Sequence, residues 1–309
     1  PGGKFLLLGH NSTFTSGGLK RYSLARLNAD GTLDAGFDPG FGPQLNNTGT
    51  SSGLIWSVAP QADGKILVGG FFSAFDGTPR NNVVRLNANG TVDLTFTPAT
   101  SATTTGYVLQ VVAWPGGKAL VFERSTTNRL LRLNADGSLD AVLGSLSDGG
   151  QFFSSVVQPD GRILLGGQFT AYNGVPRRNL LRLNADGSLD TTFDASASAP
   201  EEVIGFALQS DGRIFVSSLD VSSDLPSDGF AVRLNIDGSL DPSFSPGPAH
   251  LPSSLVTALH TDGRVVLGGT FTTVNGTPRA GIARLLANGT LDPTFVPVAT
   301  SPMPLSALV

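Results

Sequence analysis

Apolar residues come along this chain in short runs, each closed by a turn that contains Gly or Pro. The fullest stretch reads Gln158-Pro-Asp-Gly-Arg-Ile-Leu-Leu-Gly-Gly-Gln-Phe-Thr170, then Asn173-Gly-Val-Pro-Arg177, then Arg182-Leu-Asn-Ala-Asp-Gly-Ser-Leu-Asp190. Runs this short, punctuated by Asn-Gly and Asp-Gly, predict β-strands joined by hairpin turns, because Gly accepts the positive φ such turns require. In this stretch the pattern predicts strands near 152–158, 162–170, 179–184 and 188–193.

The same stretch recurs six times. Arg-Leu falls at Arg26, Arg85, Arg132, Arg182, Arg233 and Arg284, at spacings of 47 to 59 residues. Four short strands per unit of this length predict propeller blades. The expected fold is all-β: a six-bladed β-propeller of four-stranded blades forming one domain over residues 1–309. The blades are expected at 305–309 with 1–38, 54–97, 106–143, 152–194, 203–245 and 255–296. Pro1-Gly-Gly-Lys4 matches the turn before a second strand, and 305–309 matches a first strand. The C-terminal strand is therefore expected to complete the N-terminal blade and close the ring, which removes an open sheet edge. The segments after Phe37, Phe96, Phe193, Phe244 and Phe295 are rich in Pro, Ser, Thr and Ala and are expected to be loose links between blades.

The last turn of each unit can be placed to the residue. With Ala185-Asp186-Gly187 as a three-residue loop, Leu183 pairs with Leu189 and Arg182 falls opposite Asp190. The same register predicts Arg26–Asp34, Arg85–Asp93, Arg132–Asp140, Arg233–Asp241 and Arg284–Asp292 as cross-strand ion pairs.

Composition narrows the picture. A net charge of −4 leaves no basic stripe for phosphates, so nucleic acid is not an expected partner. No apolar run approaches the ~20 residues that span a bilayer. There is no Cys, which removes disulfides, thiolate metal sites and thiol nucleophiles together. The chain opens at Pro1 and is expected to be a processed product or a piece of a larger multidomain protein.

The unit Pro-Asp-Gly-Arg/Lys, Gly-Gly, Phe-Thr, Asn-Gly-x-Pro-Arg, Arg-Leu-Asn-x-Asp/Asn-Gly-Ser/Thr-Leu/Val-Asp-x-x-Phe resembles the delta-60 repeat, a bacterial β-propeller repeat of unknown function. The Gly-Gly doublet that ends a hydrophobic strand is also similar to kelch repeats. The resemblance implies the propeller fold and a secreted or cell-surface bacterial setting, and it supplies no catalytic residues. Units one, three and five depart from the pattern, at Arg124–Arg129 and Leu219–Gly229 among other places, and a specialised surface is expected there.

Candidate chemistry is sparse. Asn184-x-Asp186-Gly-x-x-Asp190 is similar to the later part of a propeller calcium loop, but its first ligand position is an arginine in every copy. A guanidinium there supplies donors where a cation needs an oxygen, so no metal and no cofactor is expected. Of 21 Asp, fifteen sit in repeat punctuation, and no spacing singles out a carboxylate pair for glycoside hydrolysis. Gln61, Trp114, Gln158, Gln209 and His260 share one position, just before the first turn of their units. In a propeller they would ring one mouth of the central channel, where polar groups and an aromatic suit a sugar or a peptide. The competing reading is that they cap strand ends. The leading expectation is a non-enzymatic module of a secreted or cell-surface bacterial protein, acting as scaffold or as an adhesion and recognition surface for protein or glycan. The alternative is a carbohydrate-active enzyme or glycan-binding protein that uses the channel mouth.

Overall fold

The computed structural model describes residues 4–45, 53–99, 106–125, 128–146, 149–200, 202–218, 231–245, 255–259, 262–269, 271–274 and 276–296. The closing strand expected at 305–309 and the rewritten turn at 219–229 lie outside the described residues. Strands dominate, and the one helical element among the described residues is a single 3₁₀ turn, Pro115–Gly117. The chain divides into two compact units, Pro1–Ser145 and Leu146–Val309.

In the first unit, Phe5–Ser16 pairs with Leu19–Leu27, with a bulge between Leu8 and Thr13. The second repeat forms an antiparallel sheet of Leu54–Pro60, Ile66–Phe71 and Val83–Leu86. In the third, Tyr107–Ala113, Ala119–Arg124 and Asn128–Leu133 pair in the same way, and Leu139–Leu146 adds the expected fourth strand beside Asn128–Leu133. Here the middle turn is short, and Glu123 lies directly opposite Arg129, ion-paired at 2.5 Å. The second unit repeats the arrangement with Gln151–Val157, Ile163–Gln168 and Leu180–Leu183, then Val203–Leu208, Ile214–Ser218 and Ala231–Leu234, then Leu255–Leu259, Val265–Gly269 and Ile282–Leu285.

Middle strands are buried on both faces because each core is shared by successive repeats. Ile66 and Val68 pack with Leu24 and Phe37 of the repeat before, whereas Leu67 packs with Val108 and Val111 of the repeat after. In the second unit Ile214 and Val216 share a core with Leu164 and Phe193, and Phe215 shares one with Val265 and Phe271. The period-2 alternation of a strand sends successive side chains into successive interfaces, so each of these four cores among the described residues draws on two repeats. The Gly-Gly doublet follows from this packing. A Cβ on Gly166 would lie 2.4 Å from Val203 of the next repeat, and one on Gly167 would lie 1.9 Å from the Gln151 carbonyl oxygen of its own sheet.

Two expectations change. The fourth strand near 188–193 does not form as a strand: the last hairpin makes one bridge, Leu183↔Leu189, and then turns. The cause is Asp190, whose Oδ1 accepts from the Thr192 amide at 2.9 Å and the Thr192 hydroxyl at 2.6 Å. That Asx-type turn folds Phe193 back into the core, and Asp93, Asp241 and Asp292 build the same turn. Nor is the link after Phe37 wholly loose. Pro43–Gln44 pairs with Ala74–Phe75, which pairs in turn with Thr78–Pro79. In the second unit, Leu146 pairs with Tyr172 of the equivalent ribbon.

Candidate functional site

The polar side chains that recur in every repeat build one cluster per repeat. Arg182 Nε donates to Asp190 Oδ2 at 2.7 Å, its Nη1 donates to the Ile236 carbonyl of the next repeat at 2.8 Å, and its guanidinium stands 4.6 Å from the centre of the Phe193 ring. Arg85 does the same with Asp93 (2.8 Å), the Ala135 carbonyl (2.7 Å) and Phe96 (4.5 Å). Arg26 joins Asp34 at 2.6 Å, and Ala88 across repeats at 2.7 Å. Arg233 joins Asp241 at 2.7 Å and the Ala287 carbonyl. Arg284 pairs with Asp292 at 2.8 Å, and Arg132 pairs with Asp140. A planar guanidinium has the fork of donors needed to hold a carboxylate and a carbonyl while stacking on a ring. Through Arg26, Arg85, Arg182 and Arg233 the cluster thus fastens one repeat to the next.

The third unit lacks the Phe of this cluster and has Leu143 in its place. Trp114 supplies the ring instead, 5.7 Å from the Arg132 guanidinium, and is only 9% exposed. It was expected as an aromatic platform at the channel mouth. Its ring is turned to the arginine, where Leu143 leaves the usual aromatic face missing.

Five of the six paired aspartates, all but Asp292, also meet the cation that follows the first turn. Lys4 reaches Asp34 at 2.7 Å, Lys65 reaches Asp93 at 2.9 Å, and Arg213 reaches Asp241 at 3.4 Å. The Lys4 ammonium, working against burial, holds the Asp34 carboxyl down at about 2. Hydrogen bonds from the Ser243 and Thr294 hydroxyls do the same for Asp241 and Asp292, both about 2. At Asp93 and Asp190 burial raises the carboxyl, but hydrogen bonds from Thr95 and Thr192 and from the paired cations outweigh it, and both end low. These carboxylates are strong acceptors held ionised, the reverse of a general acid at neutral pH.

Gln61, Trp114, Gln158 and Gln209 occupy equivalent corners of the first turns, where each backbone N–H donates to the carbonyl four residues on at 2.7 to 2.9 Å. Gln61 Nε2 donates to the Gly117 carbonyl of the next repeat at 3.1 Å, and Gln209 Nε2 to that of Gly263 at 3.4 Å. The Oε1 atoms of Gln61, Gln158 and Gln209 are buried without a hydrogen-bond partner among the described residues. Gln61 and Trp114 belong to the first unit, Gln158 and Gln209 to the second, and His260 lies outside the described residues.

In the second unit, Gln158 and Gln209 line a cleft of about 550 Å³, together with Asp160, Arg162, Leu208 and Ile236. Ile236 was not singled out by motif, yet the sequence held a signal. The other five copies carry Ala29, Ala88, Ala135, Ala185 and Ala287 at this turn position. The residue is 57% exposed.

Comparison with known proteins agrees with this architecture. No curated protein matches the chain. Among solved structures, a puromycin hydrolase is similar at 19% identity and a TM-score of 0.51, over 82% of this chain and 42% of that one. YCF48 bound to a D1 peptide is similar at 14% identity and a TM-score of 0.50, over 90% and 77%. Sqt1 of Saccharomyces cerevisiae is similar at 11% and 0.50, over 77% and 61%. At such identities the likeness concerns the fold alone. A family model matches six times, at residues 12–37, 61–96, 116–141, 158–193, 209–244 and 260–295, and by this match the chain belongs to the β-propeller family described as a domain of unknown function, DUF5122.

Proposed function

We propose that this chain is a non-enzymatic propeller module, a six-bladed ring that serves as scaffold and recognition surface in a secreted or cell-surface bacterial protein. The observation that carries the reading is how the recurring charged groups are used. The six repeat arginines are each paired with an aspartate, most of them also bridge to the next repeat, and the paired aspartates with shifted pKa values are held ionised. Such groups join blades and do not move protons. The six family matches support the blade count, and the secreted or surface setting rests on the resemblance of the unit to the delta-60 repeat. The recognition face is the one carrying the first turns, where the cleft between Gln158 and Gln209 opens.

The test is to screen the full chain on glycan and peptide arrays and to assay every bound ligand for turnover. The expected outcome is saturable binding with no cleavage or modification. Turnover of a bound ligand by the purified chain would overturn the reading, and so would the absence of binding on both arrays.

A further inference from the structure

The geometry points to the cleft between the first turns of repeats four and five as a binding site for a neutral oligosaccharide, with the Gln158 and Gln209 amide oxygens accepting from sugar hydroxyls and Leu208 and Ile236 forming a ledge for a ring C–H face. The inference rests on the recognition reading above and names its ligand class.

Three observations carry it. First, the acceptors are in place and unused. Both Oε1 atoms are buried without a partner among the described residues, and both glutamines line the cleft. For Gln209 the opposite end of the amide is anchored to the Gly263 carbonyl at 3.4 Å, which fixes which atom is left over. A buried acceptor without a donor is costly, so a ligand rich in hydroxyls relieves it once the amide turns toward the cleft. Second, the ledge is specific to this cleft. Ile236 stands where the other five repeats have alanine, and it is exposed at the turn instead of packed into a core. Its carbonyl already serves the arginine clamp through Arg182, so the backbone there is fixed and only the side chain is new. Third, the local charges are matched. Arg162 lies 3.7 Å from Asp160 and 3.8 Å from Asp190, and Asp190 lies 2.7 Å from Arg182. No unmatched charge remains at these positions to favour an anion or a cation.

A sugar fits these features better than a peptide does. An extended peptide binds by adding to a free strand edge, but the rim here is hairpin turn. The Gln158 amide bonds the Arg162 carbonyl at 2.7 Å and the Gly161 amide bonds the Gln158 carbonyl at 2.9 Å, so that backbone is already committed. The volume of about 550 Å³ lies within the range of small-ligand sites.

The test is calorimetric titration of the full chain with a panel of neutral oligosaccharides and a panel of short peptides, at low and at high salt, against Ile236→Ala and Gln158→Ala. Ile236→Ala restores the residue of the other repeats and is expected to fold, which circular dichroism would verify. The expected result is binding insensitive to salt, because no ligand charge is screened. Ile236→Ala is expected to weaken it about tenfold, and Gln158→Ala by a similar factor. Sugar binding unchanged in both folded variants would overturn the site and leave the recognition reading standing. Binding of peptides alone, weakened by Ile236→Ala, would overturn the ligand class but keep the site. Binding of neither class would sink the recognition reading and this inference together.

Discussion

Replacing Arg182 with methionine tests the arginine clamp directly, because methionine keeps the apolar stem and removes the guanidinium. Arg182 and Asp190 are each only 3% exposed. The substitution removes the 2.7 Å bond to Asp190, the 2.8 Å bond to the Ile236 carbonyl and the ring contact with Phe193. Breaking a buried ion pair from one side costs about 3–5 kcal/mol, since the remaining charge stays buried. Asp190 keeps its two bonds from Thr192 and a distant contact with Arg162 at 3.8 Å, which places the expected loss near the lower bound, about 3 kcal/mol. Arg132→Met is the internal comparison. Its partner Asp140 has a side chain 23% exposed and keeps Lys118 at 3.0 Å, so about 1 kcal/mol is expected. Urea unfolding followed by circular dichroism reads both losses, with m-values compared to check that the transition is unchanged in kind. A cycle with Asp190→Asn should show a coupling of at least about 1 kcal/mol. The reasoning is refuted if Arg182→Met is no more damaging than Arg132→Met, or if the cycle is additive.

Two further outcomes follow from the same geometry. Gly167→Ala should destabilise more than Gly166→Ala, because a Cβ at 167 meets a backbone oxygen at 1.9 Å that cannot rotate away, whereas one at 166 meets the Val203 methyl at 2.4 Å. Overpacking costs about 1–3 kcal/mol, with Gly167→Ala expected at the top of that range, and urea midpoints in the reverse order would contradict the account. The second concerns acid. Asp34, Asp241 and Asp292 are lowered from 3.8 to about 2 in the folded chain, so as pH falls the unfolded chain takes up protons first. Their stabilisation is complete above about pH 4 and is lost between about pH 4 and pH 2, which acid titration of the unfolding free energy would detect. A flat profile across that window would show that the pairs contribute nothing.

Much of this was legible in the sequence, and for a local reason. Gly in Ala185-Asp186-Gly187 sets a turn of one geometry, the turn sets the register, and the register puts Arg182 beside Asp190 with no knowledge of the rest of the molecule. The four-strand expectation failed at Asp190 because a carboxylate that accepts from Thr192 offers the backbone a turn in place of a ladder, and alternation of apolar residues does not register that competition. For Trp114 the sequence left two readings, a ring at the channel mouth or a cap at a strand end, and that its ring meets Arg132 where Leu143 stands in place of the usual Phe is seen only in three dimensions. The departure of Ile236 from alanine was visible in the repeat, but nothing along the chain says that this turn borders a cleft with Gln158 and Gln209. Local turn chemistry thus determined the repeat, its register and its ion pairs. Contacts between repeats decided the shared cores, the carbonyl each clamp reaches and the cleft, because these depend on neighbours about fifty residues away whose approach no local rule encodes.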